Sequence, residues 1–289
     1  MKIGVIDIGS NSVRLMLWAD GKTLFKQIKT TRLGDGLNFA PRLKYEAMER
    51  TAFAVKEFKE RAEEGGAERV YAFATAAVRS AENGAEFVQK VFSLCGVKVE
   101  VLSGLREAEI GLFGALGNSD GGIIDVGGAS TEVTVRSGGK VIYTYSADVG
   151  TVRILDGAGR DYKKIKKFVA DKIKCYPRAD FSSLEIYAVG GTASRLGAIK
   201  NGIKEYRAEI IDGTVLYAEE IHALAERLCN TSVEEIRDTT ICGNSADLIG
   251  GGAELMASVM DIFGVKKITV SESDNLEGYA AYIVRQAEK

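Results

Sequence analysis

The chain is poor in several residues whose presence would decide its class. It has two prolines, Pro41 and Pro177, so no Pro-rich linker separates one part from another, and any domains are closely joined. Its four cysteines, Cys95, Cys175, Cys229 and Cys242, are far apart and form no CxxC pair. Structural thiols are the better reading. A single histidine, His222, rules out a zinc signature, and nothing near it supports a Ser-His-Asp triad. It reads instead as a partly exposed helix residue. Charge of one sign is also lacking: the formal net charge is −2, which gives no reason to expect nucleic acid as a partner. No apolar run approaches the roughly 20 residues of a membrane span. Met1-Lys2 leads straight into a strand, without a signal peptide, so the expected compartment is the cytoplasm.

What remains is ordinary for a soluble globular protein: 46% apolar and 27% charged over 289 residues, enough for two modest domains. Glycine is the abundant residue, and its placement is informative. In Gly121-Gly-Ile-Ile-Asp-Val-Gly-Gly-Ala-Ser-Thr-Glu-Val-Thr-Val135, a buried strand ends near Asp125. Gly127 and Gly128 then form a turn tight enough for backbone N–H groups to face an anion. Ser130 and Thr131 add hydroxyls, and Glu132 resumes the strand alternation. Amides and hydroxyls suit phosphate oxygens, and the carboxylate suits a divalent metal or its water.

The pattern occurs twice. Gly4-Val-Ile-Asp-Ile-Gly-Ser-Asn-Ser-Val-Arg-Leu-Met-Leu17 aligns without gaps on Gly122 to Val135. Gly4, Ile6, Asp7, Gly9 and Ser12 match Gly122, Ile124, Asp125, Gly127 and Ser130. The repeat implies internal duplication. It predicts two domains of like topology, 1–118 and 119–289, with Asp7 and Asp125 facing one interdomain cleft that clamps a phosphate chain. A terminal helix over 276–288 is expected to pack back on the first domain.

In order, strands are expected at 3–8, 13–18 and 23–29, then a glycine-rich loop at 32–37 and a helix over 43–64. A strand at 69–74 leads into Thr75-Ala-Ala-Val-Arg79 and Asn83, whose hydroxyl, arginine and amide suit an anion site at a strand's carboxyl end. A helix at 85–94, a strand at 97–102 and a helix with Glu107 on its first turn follow. The second glycine turn is followed by a strand at 140–146 and an amphipathic helix over 160–174. That helix turns Lys163, Lys164, Lys166, Lys167, Lys172 and Lys174 largely outward, as a solvated face or a polyanion surface. A strand at 184–189 ends on a third glycine-hydroxyl turn, Gly190-Gly191-Thr192. Helices are expected at 215–228, 232–237 and 247–263, with a strand at 267–271. Arg14 alternates with apolar Val13 and Leu15, so it faces a cleft or solvent.

Five motifs occur in one order: Asp7-Ile-Gly-Ser-Asn-Ser-Val-Arg-Leu15, Ala74-Thr-Ala-Ala-Val-Arg79 with Asn83, Ser103-Gly-Leu-Arg-Glu-Ala108, Asp125-Val-Gly-Gly-Ala-Ser-Thr-Glu132 and Val189-Gly-Gly-Thr192. Together they resemble the exopolyphosphatase/guanosine pentaphosphate phosphohydrolase family, over nearly the whole chain. The resemblance implies an α/β fold of two duplicated ribonuclease-H-like (actin-like ATPase) domains with mixed sheets. It implies hydrolysis of a terminal phosphoanhydride with Mg²⁺ (or Mn²⁺). Glu107 matches the family's catalytic glutamate, Asp125 an essential carboxylate and Arg79 a phosphate-contacting arginine. Three positions depart from the pattern: Arg106 stands where many members have glutamate, and Ser245 and Leu276 replace arginines.

The site expected from residues and resemblance together places Glu107 and Asp125 in catalysis and Asp7, Asp125 and Glu132 on the metal. Phosphate binding falls to Gly9, Ser10, Asn11, Ser12, Arg14, Thr75, Arg79, Gly127, Gly128, Ser130, Thr131, Gly190, Gly191 and Thr192. The expected partner is polyphosphate or guanosine pentaphosphate, without nucleic acid or membrane; a homodimer stays open. Two alternatives also stay open: a small-molecule kinase of the same fold, and a non-catalytic sensor of alarmone or nucleotide.

Overall fold

The computed structural model describes residues 1–37 and 39–287. The chain divides into two compact units, Met1–Gly114 with Asn275–Lys289, and Ala115–Asp274. Among the described residues no helix is long and apolar enough to cross a membrane.

The first unit is built on a mixed five-stranded sheet. β1 (Lys2–Ile8), β2 (Ser12–Ala19) and β3 (Lys22–Thr30) form an antiparallel meander. Helix α1 (Tyr45–Glu64) crosses to β4 (Arg69–Ala74), which pairs parallel to β1. Helices α2 (Ala76–Ser80) and α3 (Gly84–Cys95) lead to β5 (Val99–Val101), parallel to β4. Then comes α4 (Gly104–Leu116). Alternation along β1 sends Ile6 and Ile8 into one core with Val55 and Phe58 of α1. Ile3 and Val5 go to the other face, where Leu276, Tyr279 and Ala280 of the terminal helix (Asn275–Ala287) complete a second core. Glu288, expected as that helix's last residue, lies outside the described residues.

The second unit repeats the plan on six strands. β6 (Gly121–Val126), β7 (Thr131–Ser137) and β8 (Lys140–Ala147) make a second meander. Helices α5 (Thr151–Ala158) and α6 (Tyr162–Lys172) cross to β9 (Ile186–Val189), which lies parallel to β6. After α7 (Gly190–Lys200) and α8 (Ala208–Ile211) comes a short edge strand, β10 (Val215–Tyr217). Helices α9 (Ala218–Asn230), α10 (Val233–Thr239) and α11 (Ile249–Ile262) precede β11 (Lys267–Val270), parallel to β9. The duplication reaches the irregularities: the meander register shifts at Leu17/Trp18 in one unit and at the matching Val135/Arg136 in the other.

Three expectations about elements are corrected. Residues 215–217 are not the start of a helix; they pair antiparallel with β11 before α9 begins. Thr151–Ala158 is a helix where the sequence suggested none. Gly190-Gly191-Thr192 is the first turn of α7 rather than a free turn. Burial in α7 falls mostly on Gly190, Thr192, Ala193, Gly197 and Ala198, so no stripe of large apolar residues betrayed it.

Candidate active site

In the first unit, Asp7 and Arg14 stand opposite each other in the β1–β2 register. Arg14 donates to Asp7 Oδ2 from Nε at 2.9 Å and from Nη2 at 2.5 Å. The sequence assigned Asp7 to a metal and Arg14 to phosphate; the structure joins them as an ion pair. Between the strands, Gly9 N–H closes the turn on the Ser12 carbonyl at 3.0 Å. The Ser10 and Asn11 carbonyls accept from the amides of Gly34, Thr31 and Arg32. Ser10 and Thr75 are buried, and their hydroxyls bond nothing among the described residues. Ser12 Oγ accepts from Asn11 Nδ2 at 3.3 Å.

Arg79 and Glu107, distant in sequence, meet. Arg79 Nη1 donates to Glu107 Oε2 at 2.8 Å and to the Leu102 carbonyl at 3.0 Å. Glu107 is 6% exposed on the first turn of α4, where a helix dipole favours a carboxylate. Asn83 plays a different part from the one expected. Its buried amide clamps the backbone of Leu43, accepting from N–H at 2.8 Å and donating to C=O at 3.0 Å, so it holds a loop rather than an anion. Arg106 also turns to structure: its guanidinium lies over Tyr282 at 4.0 Å and pairs with Glu109. Leu276 is fully buried in the core.

In the second unit the turn repeats its geometry, with Gly127 N–H on the Ser130 carbonyl at 3.0 Å. Its support is new. Three consecutive residues at the start of α5 hold three consecutive carbonyls. Thr151 N–H takes Gly127 and Val152 N–H takes Gly128, each at 2.9 Å. Arg153 Nε takes Ala129 at 2.7 Å. The first amides of a helix lack intrahelical acceptors, so both partners gain. With the carbonyls held, the amides of Gly128, Ala129 and Ser130 are left without an acceptor among the described residues. Ser130 Oγ likewise has none. This is an anion nest with a hydroxyl beside it. The close approach leaves no room at Gly150, where an added Cβ would lie 2.5 Å from Gly128 carbonyl atoms.

Two expected hydroxyls point elsewhere. Thr131 Oγ1 donates to the Val149 carbonyl at 2.7 Å, fully buried, and Thr192 Oγ1 donates to the Val126 carbonyl at 2.8 Å. Both threonines hold the turn; their protons are not available to a phosphate. Asp125 and Glu132 face each other in the β6–β7 register, where the first unit has Asp7 and Arg14. Glu132 accepts from Ser146 Oγ at 2.6 Å. Its charge adds to the effect of burial, which comes first, in pushing the Tyr176 phenol far above its ordinary range. Gly190 lies under Asp125: a Cβ there would sit 2.5 Å from Asp125 Oδ1, and its φ is +80°. Two carboxylates beside the Gly127–Ser130 turn are an oxygen donor set of the kind that fits Mg²⁺, which commonly takes one or two carboxylates plus substrate phosphates. Among the described residues, no three His, Cys, Asp or Glu side chains are grouped as a ready metal cage.

Sequence reasoning missed Arg153 and Arg195. Arg195 Nη1 holds the Gly191 carbonyl at 2.7 Å, and Nη2 lies 3.4 Å from Ser245 Oγ, a position that departs from the pattern. Its spacing of four from Gly191 was the available signal, hidden while α7 was unrecognised.

A family model described as the Ppx/GppA phosphatase family matches residues 16–284. The chain is 28% identical over 313 residues to exopolyphosphatase 2 of Mycobacterium tuberculosis, covering 96% of this chain and 97% of that one. It is 29% identical to the bifunctional 3-dehydroquinate synthase/phosphatase of Fusobacterium nucleatum, covering 94% of this chain but only 45% of that protein. Among solved structures, the Aquifex aeolicus member of the Ppx/GppA family superimposes with a TM-score of 0.77 at 27% identity, over 100% of this chain and 99% of that one.

Proposed function

We infer that this chain, which belongs to the Ppx/GppA phosphatase family, releases the terminal phosphate of inorganic polyphosphate, and of guanosine pentaphosphate where offered. The observation that carries the reading is the nest at Gly128, Ala129 and Ser130, whose amides face away from carbonyls locked by α5. A phosphoanhydride is ready to hydrolyse but shielded by its own negative charge. Catalysis therefore needs neutralisation and a positioned water more than a covalent nucleophile.

The nest and Ser130 Oγ are assigned to phosphate oxygens in the second unit, and the buried Ser10 and Thr75 hydroxyls in the first. Arg153 and Arg195 add positive charge while fixing the Ala129 and Gly191 carbonyls. Glu107 is assigned to orienting the attacking water and taking its proton; Arg79 holds the carboxylate in place. Asp125 and Glu132 are the residues that would hold Mg²⁺ (or Mn²⁺), since Asp7 is paired with Arg14. That ion, when bound, would neutralise phosphate charge.

The test is incubation with long-chain polyphosphate, guanosine pentaphosphate or ATP, with and without Mg²⁺. Free phosphate from the first two is the expected result. Binding without products would replace the reading with a sensor. ADP with a phosphorylated acceptor would replace it with a kinase.

A further inference from the structure

Two helix surfaces of this chain are charged in opposite styles. On α1, solvent-facing charges come in opposite pairs: Lys56 with Glu60, Lys59 with Glu63 and Arg61 with Glu64. That is the pattern of a solvated helix face, opposite charges three or four residues apart supporting the helix. On α6 the pattern is absent. Its eleven residues carry five lysines and one aspartate, and Lys174 follows in the next turn. Lys163, Lys164, Lys166, Lys167, Lys172 and Lys174 are all exposed. Asp171 is taken by Lys174. The ammonium groups of Lys163, Lys164, Lys166 and Lys167 pair with no carboxylate among the described residues; Asp161, at the start of the helix, is bonded to the Lys164 backbone N–H.

Like charges three and four apart on a helix repel, and Lys163/Lys166, Lys163/Lys167 and Lys164/Lys167 are such pairs. The fold therefore keeps an arrangement that weakens the helix, in a protein whose net charge is −2. The helix is held by other means: Asp161 caps it, and Ile165 and Val169 anchor it in the core. Its place in the unit is also informative. α5 begins on the Gly127–Ala129 carbonyls and runs eight residues, about 12 Å, before the chain turns into α6, which packs back on it.

We propose that the lysine face of α6 is a docking surface for the body of a long polyphosphate chain, distinct from the turn that holds the phosphates being cleaved. The proposal rests on the phosphohydrolase reading above. The occupant follows from the chemistry: repeated negative charges without bases match closely spaced ammonium groups without recognition forks. A nucleic acid strand would call for exposed aromatic rings on which bases stack. Here Tyr162 and Phe168 are half-buried, with Lys166 and Lys172 lying over their rings.

The test compares wild type with the triple variant Lys163→Gln, Lys166→Gln, Lys167→Gln. Glutamine keeps helix propensity and removes the repulsion, so the variant folds. Three measurements are made: binding of long-chain polyphosphate across a salt series, phosphate release from tripolyphosphate, and binding of single-stranded DNA. Wild type should bind long chains with a steep salt dependence. The variant should bind them several-fold more weakly at low salt, with the slope of log Kd against log salt reduced by about 2, by analogy with counterion release. Its rate on tripolyphosphate should match wild type. Unchanged long-chain affinity at low salt overturns the docking surface while leaving the hydrolase reading intact. Absence of phosphate release by wild type overturns the hydrolase reading instead. A variant that loses only DNA binding assigns the face to nucleic acid and overturns the proposal.

Discussion

Arg79 Nη1 bridges Glu107 Oε2, at 2.8 Å, and the Leu102 carbonyl, at 3.0 Å. One guanidinium thus fixes the buried carboxylate of α4 to the end of the neighbouring strand. If Glu107 takes the water's proton, Glu107→Gln keeps shape and most hydrogen bonding but cannot accept it. Turnover of polyphosphate should fall by about 10²–10⁴ fold. Substrate affinity should hold or improve, because a negative charge has gone. Near-wild-type turnover would remove Glu107 from the mechanism and make Glu132 the next base to test.

Asp125 should respond differently. It faces Glu132 across β6–β7, where the first unit pairs Asp7 with Arg14. The duplicated frame therefore sets an acid against an arginine in one unit and an acid against an acid in the other. If that pair holds Mg²⁺, Asp125→Asn should lose activity that is partly regained as Mg²⁺ is raised. Glu107→Gln should show no such recovery. A loss at Asp125 that is indifferent to Mg²⁺ over a wide range would count against the metal assignment.

The duplication was legible because the fold needs the same residue types at matching positions. A buried strand, an acid, a glycine turn and a second strand recur, and the structure repeats even the Gly9–Ser12 and Gly127–Ser130 closures at 3.0 Å. The supports of the turns were not legible. In one unit a loop at 31–34 holds the carbonyls; in the other the first residues of α5 do so. Nothing in Gly150-Thr-Val-Arg153 marks that helix start, since Gly150 is demanded by the nearness of Gly128 backbone rather than by a turn. Side-chain direction was the other blind spot. A threonine beside a glycine turn can face a ligand or a carbonyl, and Thr131 and Thr192 face carbonyls.

Gly190 offers a test of the acid's placement. Its φ of +80° is strained for other residues, and an added Cβ would fall 2.5 Å from Asp125 Oδ1. Gly190→Ala should displace the carboxylate and cost about 1–3 kcal/mol in stability. Activity should fall at temperatures where the variant is still folded, and the apparent Mg²⁺ requirement should rise. Unaltered Mg²⁺ dependence in a folded variant would show that Asp125 had not moved or does not matter to the ion.

The single histidine supplies a prediction about stability rather than catalysis. His222 on α9 reaches two carboxylates of α11: Nδ1 lies 3.0 Å from Glu254 Oε2 and Nε2 lies 3.0 Å from Asp261 Oδ2. Tyr162 and Ser258 hydroxyls also donate to Glu254, at 3.1 and 3.2 Å. Only the imidazolium has a proton for both contacts; the neutral ring must turn a lone pair toward one carboxylate. Burial alone would lower the pKa, but the hydrogen bonds and charges of Glu254 and Asp261 together outweigh it and raise it above 6.5. The folded state therefore binds this proton more tightly than the unfolded chain. Its contribution is fully present below the unfolded value near 6.5 and is lost as pH rises through the raised folded value. His222→Gln should destabilise the protein by about 1–3 kcal/mol at pH 6, the scale of hydrogen bonds to charged groups. The gap from wild type should narrow by pH 9. Asp261→Asn should remove the smaller part of the pH dependence, because Asp261 is 56% exposed and its contact is screened, whereas Glu254 is 2% exposed. Urea unfolding of the three proteins at both pH values gives the comparison. A His222→Gln gap of the same size at pH 6 and pH 9 would mean that packing, not the proton, is what His222 contributes between α9 and α11.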